Sequence, residues 1–257
     1  MSVQLNLTYP SQTELGFDAF LPEGNGPYPA MVCIHGGGWI SGDRTMMHDV
    51  AEFFQQSGFA AFCPSYRLAP LHPCPSAMND IQAFIRFLRA NTNQFQIDAD
   101  AIAAFGNSAG GHLAAIAGVC DSQSDGVSSK ANAVVALCPI TDFEDPRGEL
   151  LPISLSFIEQ FMGCGFEGNE EFWAQAGPMR HACESASPFF LAHGDADDIV
   201  PIGQSEALAS KLFTLGVPVE FHRLPGEGHS LSYQAWTRLE PMMLSFLRKS
   251  LCSEVVA

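Results

Sequence analysis

The segment Gly106-Asn107-Ser108-Ala109-Gly110 constrains this chain more than any other, because of what stands on either side of it. The run Ala101-Ile102-Ala103-Ala104-Phe105 leads in as a buried strand, and the small-residue run Ala109 to Val119 leads out as a helix. A G-x-S-x-G between a strand and a helix is a nucleophile elbow, in which two glycines leave room for a sharp reversal that presents the serine hydroxyl. The hydroxyl then stands at a helix N-terminus, where free N–H groups and the helix dipole favour developing negative charge. A glycine-rich turn matches the same five residues, and the strand-turn-helix context argues against that plainer reading.

Segments of alternating type continue on both sides of the elbow. Val3–Tyr9 and Gly16–Leu21 alternate apolar and polar residues and predict an antiparallel hairpin. Ala30–Ile34, Phe59–Cys63, Ala131–Leu137, Phe189–Ala192 and Val217–His222 predict further strands, which with the elbow strand makes about eight. Helices are expected near Met47–Ser57, Ala77–Asn91, Gly203–Leu215 and Tyr233–Lys249, the second from the spacing of Ile81, Phe84, Ile85 and Leu88. This alternation predicts an α/β fold, a mostly parallel central sheet with helices on both faces and function at the carboxyl ends of the strands. Ile140–Ala186 breaks the rhythm and reads as an insertion over the sheet within a single domain spanning residues 1–257. Its phenylalanines, if exposed, would offer a homo-oligomer interface.

A serine hydroxyl needs a base to take its proton and a third group to orient that base. Where an elbow carries the nucleophile, an acid and then a histidine follow in the chain. Of the eight histidines, His229 lies in the glycine loop Pro225-Gly226-Glu227-Gly228-His229, after the last strand and before the last helix. His222 falls inside a strand, His181 and His193 precede that strand, and His112 sits on the elbow helix facing away from the hydroxyl. The acid is expected after the penultimate strand, in His193-Gly194-Asp195-Ala196-Asp197-Asp198, with Asp197 favoured over Asp198 and Asp195. Gly36-Gly37-Gly38 follows strand Ala30–Ile34 and suits an oxyanion cavity, with donors at the Gly37, Gly38 and Ala109 N–H groups. His35 and Trp39 on either side read as anchors of that loop.

These stretches, with Ser65-Tyr66-Arg67-Leu68-Ala69-Pro70 and Gly228-His229, resemble the α/β-hydrolase esterases of the hormone-sensitive-lipase-like group and its feruloyl-esterase-like and acetylesterase-like relatives. The resemblance runs from about Ala30 to the end and implies an α/β-hydrolase fold and a serine carboxylesterase acting through an acyl-enzyme on Ser108. It also implies Asp197 as the acid and Gly37, Gly38 and Ala109 as the oxyanion donors. Two departures stand out: about 30 residues precede His35 and are assigned to the hairpin, so the group's N-terminal helical cap is not expected there, and Asn107 stands where the elbow of the group often has an aspartate. Trp39 beside the oxyanion loop suggests a narrow acyl pocket and short, acetyl-like substrates. Phe143, Phe157, Phe161, Phe166, Phe172 and Trp173 are candidates to line the alcohol side. An amidase or arylformamidase, a peptidase and a non-catalytic ligand-binding homologue are the alternatives.

The formal net charge of −16 argues against nucleic acid and anionic membranes as partners and leaves a small-molecule ester. The segment Met1–Thr8 has neither the basic start nor the apolar run of a signal peptide, so a cytoplasmic protein is expected without membrane insertion. The eight cysteines show no zinc spacing, and neither metal nor cofactor is expected. Cys33, Cys63 and Cys138 read as buried free thiols, and Cys164 and Cys183 are the pair that could close a loop.

Overall fold

The structure, a computed structural model, describes residues 1–10, 14–145 and 148–251. Pro146 and Arg147, within the expected insertion, lie outside the described residues. The chain begins with the antiparallel pair β1 (Ser2–Tyr9) and β2 (Leu15–Leu21), followed by β3 (Tyr28–Ile34), a 3-10 turn over Arg44–Met47, α1 (His48–Gln56) and β4 (Ala60–Pro64). Then come α2 (Ser76–Ala90), α3 (Thr92–Phe95), β5 (Ile97–Asn107), α4 (Ala109–Val119) and β6 (Ala133–Leu137). The inserted segment supplies α5 (Pro152–Met162), α6 (Glu170–Ala176) and α7 (Pro178–His181), and β7 (Phe189–Gly194), α8 (Gly203–Thr214), β8 (Val219–Leu224) and α9 (Tyr233–Leu251) complete the order.

The eight strands form one sheet in the order β1-β2-β4-β3-β5-β6-β7-β8. β2 runs antiparallel to β4, and every pairing from β4 to β8 is parallel. This is the mostly parallel sheet expected from the alternation of segments, in the α/β-hydrolase arrangement that the resemblance implies. Parallel strands must be covered on both faces, and the apolar runs that make them divide into two cores. Val32, Ile34, Ile102, Ala104, Val134 and Leu191 face the core with α2, α4 and α8. Met31, Cys33, Phe105, Val135 and Phe190 face the one with α1 and α9. The alternation along each strand is therefore real, but both of its phases are apolar.

From β3 the chain crosses to β4 on one side and then to β5 on the other, so the strand order reverses between β3 and β5. The connections leaving those two strands separate there and open a crevice at their carboxyl ends. The parallel register sets Ile34 beside Gly106, and hence His35-Gly36-Gly37 beside Asn107-Ser108. Helix α4 explains itself by composition: all eleven residues are buried, and seven of them are Gly or Ala, which lets the helix lie close on β5 and β6. A Cβ at Gly118 would stand 2.4 Å from Val134 Cγ2.

Candidate active site

The reversal after β5 is as tight as its glycines suggest. A Cβ on Gly106 would lie 2.2 Å from the Gly110 carbonyl oxygen, and one on Gly110 would lie 2.1 Å from that of Ile34. Between them Ser108 adopts φ 56° and ψ −124°, a backbone state that costs a side-chain-bearing residue about 1–3 kcal/mol and persists only where its surroundings enforce it. Here the enforcement includes the Ser108 N–H bond to Leu137 O on β6 at 2.9 Å.

His229 Nε2 lies 3.0 Å from Ser108 Oγ, and His229 Nδ1 lies 2.8 Å from Asp197 Oδ2. With a carboxylate as its neighbour, Nδ1 carries the proton and Nε2 presents a lone pair to the serine hydroxyl. The loop that brings His229 here is fastened from several sides. Asp195 accepts from Gly226 N at 2.7 Å and from Arg223 Nε at 3.2 Å, and Ala196 N donates to Glu227 O at 3.0 Å. Gly194 is required by this crossing, since its Cβ would fall 2.1 Å from Glu227 O.

Of the three candidate aspartates, Asp197 alone turns inward; Asp195 and Asp198 are exposed. The Asp197 side chain has no exposure, and burial works against its charge. Bonds from His193, His229 and the N–H groups of Val200 and Ile199 outweigh that burial and hold the carboxyl well below its ordinary range. The amide bonds measure 2.8 and 2.9 Å, both to Oδ1. His193 was not singled out from the sequence as part of the site. Its Nε2 lies 3.2 Å from Asp197 Oδ2 and 2.9 Å from Val200 O, while Nδ1 meets Ser205 Oγ at 2.8 Å. It thus shares the Oδ2 oxygen of the aspartate with His229. The sequence signal was present in its position at the start of the acid loop, but a strand-end histidine looks the same when it only packs.

His229 is partly desolvated, which disfavours its charged form, yet the Asp197 carboxylate raises its proton affinity above the ordinary value. A base must be neutral to accept a proton, so activity through this group falls as pH drops through that raised pKa. Asp197→Asn keeps the Oδ1 acceptor and removes the anion. For any reaction using Ser108 and His229, kcat is expected to fall by about ten-thousand-fold. The acid limb of the residual activity moves to lower pH, and a pH profile of kcat/KM for both proteins checks the sign.

The glycine loop expected to hold the oxyanion donors is built on a buried polar framework. His35 stacks on Tyr66 at a ring separation of 4.2 Å, its Nδ1–H donates to Gly36 O at 2.8 Å, and Tyr66 OH donates to His35 O at 2.9 Å. Gly37 and Gly38 have φ of 108° and 60°, and a Cβ on Gly37 would meet Ser41 O at 2.3 Å. Among the described residues, no hydrogen-bond acceptor takes the N–H of Gly37, Gly38 or Ala109.

Trp39 departs from the expectation that it narrows the acyl pocket. The indole is 0% exposed, stacks on Phe161 at 4.5 Å and donates from Nε1 to His112 Nδ1 at 3.1 Å. His112, kept neutral by burial with a pKa lowered to about 4, donates in turn to Ala176 O at 2.8 Å. A large aromatic ring with a polar N–H gains more from this enclosed partner than from the cleft, and Trp39 ties the oxyanion loop to the inserted segment. Phe143, Phe161 and Trp173 are buried in packing as well, while Phe166 and Phe172 are exposed by 36% and 40%. Phe157 alone stands against the loop: a Cβ on Gly38 would lie 2.6 Å from its ring. A cavity of about 290 Å3 opens beside His229 and Asn107, walled by Met46, Met47, Val50, Leu231 and Trp236. His222 lies in β8 with its ring against Phe190, and Cys33, Cys63, Cys138, Cys164 and Cys183 are all free thiols. Among the described residues, no helix is long and apolar enough to cross a membrane.

This geometry has counterparts. The chain is 28% identical over 225 residues to esterase LipC of Mycobacterium tuberculosis, covering 84% of this chain and 56% of LipC. It is 25% identical over 246 residues to the isoprenylcysteine alpha-carbonyl methylesterase ICME of Arabidopsis thaliana, covering 89% and 56%. The chain thus spans about half the length of these relatives. Among solved structures, a truncated carbohydrate esterase from gut microbiota superposes with a TM-score of 0.83 at 24% identity over 96% of both chains. Esterase Est2 of Thermogutta terrifontis superposes with a TM-score of 0.81 at 22% identity, over 100% of this chain and 95% of that one. Residues 17–212, from the second strand through most of α8, match the BD-FAE family, and the chain belongs to that family of α/β-hydrolases.

Proposed function

We propose that the protein is a serine carboxylesterase that hydrolyses short-chain, acetyl-like esters through an acyl-enzyme on Ser108. The observation that carries this reading is the unbroken chain from Ser108 Oγ to His229 to Asp197. The relatives named as esterases, LipC among them, point to the same chemistry. In the proposed cycle Ser108 Oγ attacks the ester carbonyl while His229 Nε2 takes its proton. The Gly37, Gly38 and Ala109 N–H groups receive the oxyanion, each worth about 3–4 kcal/mol to the transition state. The imidazolium, stabilised by Asp197, protonates the departing alcohol, and a water activated by the same nitrogen releases the acid.

The preference for short acyl groups is supported by Phe157, whose ring crowds Gly38 in the oxyanion loop, and by the small volume of the neighbouring cavity. Rates on p-nitrophenyl esters from acetate through dodecanoate test it. Turnover should peak at acetate or propionate, and Phe157→Ala should move the optimum to longer chains. An octanoate optimum in the wild type would overturn the short-chain reading, and no turnover of any ester by a folded protein would overturn the esterase itself.

A further inference from the structure

Cys138 has no part in that cycle, yet its thiol is placed against it. The residue follows β6 directly in a left-handed backbone state with φ 39°, is 2% exposed, and points its Sγ toward the His229 loop, 3.6 Å from His229 O. Sγ, a carboxylate oxygen of Asp197 and a ring nitrogen of His229 all lie within 4.8 Å of one another. A thiol, an imidazole and a carboxylate converging on one point make a ligand set suited to a thiophilic divalent cation, zinc above all.

We propose that Cys138, His229 and Asp197 form an inhibitory zinc site that switches the base off by reversing its tautomer. Zinc bonds of about 2.0–2.3 Å set tetrahedral ligands about 3.3–3.6 Å apart. The Asp197–His229 separation of 2.8 Å must therefore widen by roughly half an ångström. The cavity beside His229 is lined by Cys138 as well, and gives the ion a route in and a water for the fourth position. Zinc displaces the thiol proton to solvent and takes the Nδ1 lone pair. A neutral imidazole metallated at Nδ1 must carry its proton at Nε2. The proton that sat at Nδ1 thus reappears, by exchange with solvent, at Nε2; one proton is released overall and no electrons are transferred. Nε2–H then donates to Ser108 Oγ and can no longer accept from it. The ion need not touch the serine to stop it.

The metal site stands on geometry; only the inhibition rests on the esterase reading, and the two are separable by experiment. Cobalt(II) titrated into metal-free Ser108→Ala protein should produce a thiolate-to-cobalt absorption band saturating at one ion per chain. The band should vanish in the Ser108→Ala, Cys138→Ser double variant. On the active protein, zinc should inhibit, and Cys138→Ser should raise the half-inhibiting concentration by more than about ten-fold, each protein compared with its own metal-free rate. Cys183→Ser, at an exposed thiol far along the chain, should leave inhibition unchanged. Nitrogen-15 NMR of the histidines, which needs no variant at Cys138, should show His229 passing to the Nε2–H form as zinc is added. A cobalt band indifferent to Cys138, zinc inhibition lost instead in Cys183→Ser, or an unchanged His229 tautomer at saturating zinc would each overturn the site. A protein that binds cobalt through Cys138 but hydrolyses no ester would leave the site standing and sink the esterase.

Discussion

Ser108→Ala is expected to lower kcat/KM for ester hydrolysis by about a million-fold while leaving the fold intact. The size of the loss follows from how the parts depend on each other. Without the hydroxyl, His229 has no proton to take and the acyl-enzyme has no atom on which to form. What remains is the oxyanion cavity acting on a bound ester and water, worth roughly a thousand-fold over solution. Removing His229 as well should then cost almost nothing further, because the two act as a unit. The fold should survive because the strained φ of 56° is imposed by Gly106, Gly110 and the bond to Leu137 O rather than by the hydroxyl. Steady-state rates and a thermal melt of the same preparation check both halves. Turnover within ten-fold of the wild type would place the nucleophile elsewhere.

The second large effect is on stability. A methyl group at Gly110 would stand 2.1 Å from Ile34 O and 2.7 Å from His35 O, both backbone atoms at the carboxyl end of β3. No rotamer relieves such a contact, so the strand or the helix must move. Gly110→Ala is expected to cost more than about 3 kcal/mol, above the ordinary range for overpacking. For a domain of this size that lowers Tm by roughly 6–12 °C. Gly165 has open space around its Cβ position and an ordinary φ, so Gly165→Ala should stay within about 0.5 kcal/mol of the wild type. Equal melting of the two variants would mean that the elbow is not as rigid as its contacts imply.

What could be read in the sequence was whatever local chemistry determines. Helix Ala109–Val119 was expected with the bounds that it has, because a run of small residues after a glycine turn has few other uses. The start of β5 was placed at Ala101 rather than Ile97, since Asp98 and Asp100 look like loop residues until their exposure at the strand's outer end is known. β8 was expected two residues early, over Val217–His222 rather than Val219–Leu224, for want of any turn signal after Leu224 stronger than Pro225. Asp197, Asp198 and Asp195 differ in which way the loop turns them, and order along the chain could only rank them. Trp39 was misjudged for a related reason. An indole next to an oxyanion loop can face the cleft or the core, and the partner that decides it, His112, lies on another element. The roles of Phe157, His193 and Cys138 are likewise contacts across the sheet top, where no spacing in the chain announces them.

The strand order also fixes when, during synthesis, the parts of this site come into being. β3, β4, β5 and β6 pair among themselves, so the serine, its elbow and the oxyanion loop have all their neighbours in the sheet once residue 137 has been made. The acid arrives after β7 and the imidazole only after β8. A growing chain therefore carries an elbow serine already paired in the sheet, but without its histidine partner, through the production of more than a third of its length. The last contact of the row to form is that of His229 with Ser108, because the loop bearing His229 is made after every strand of the sheet.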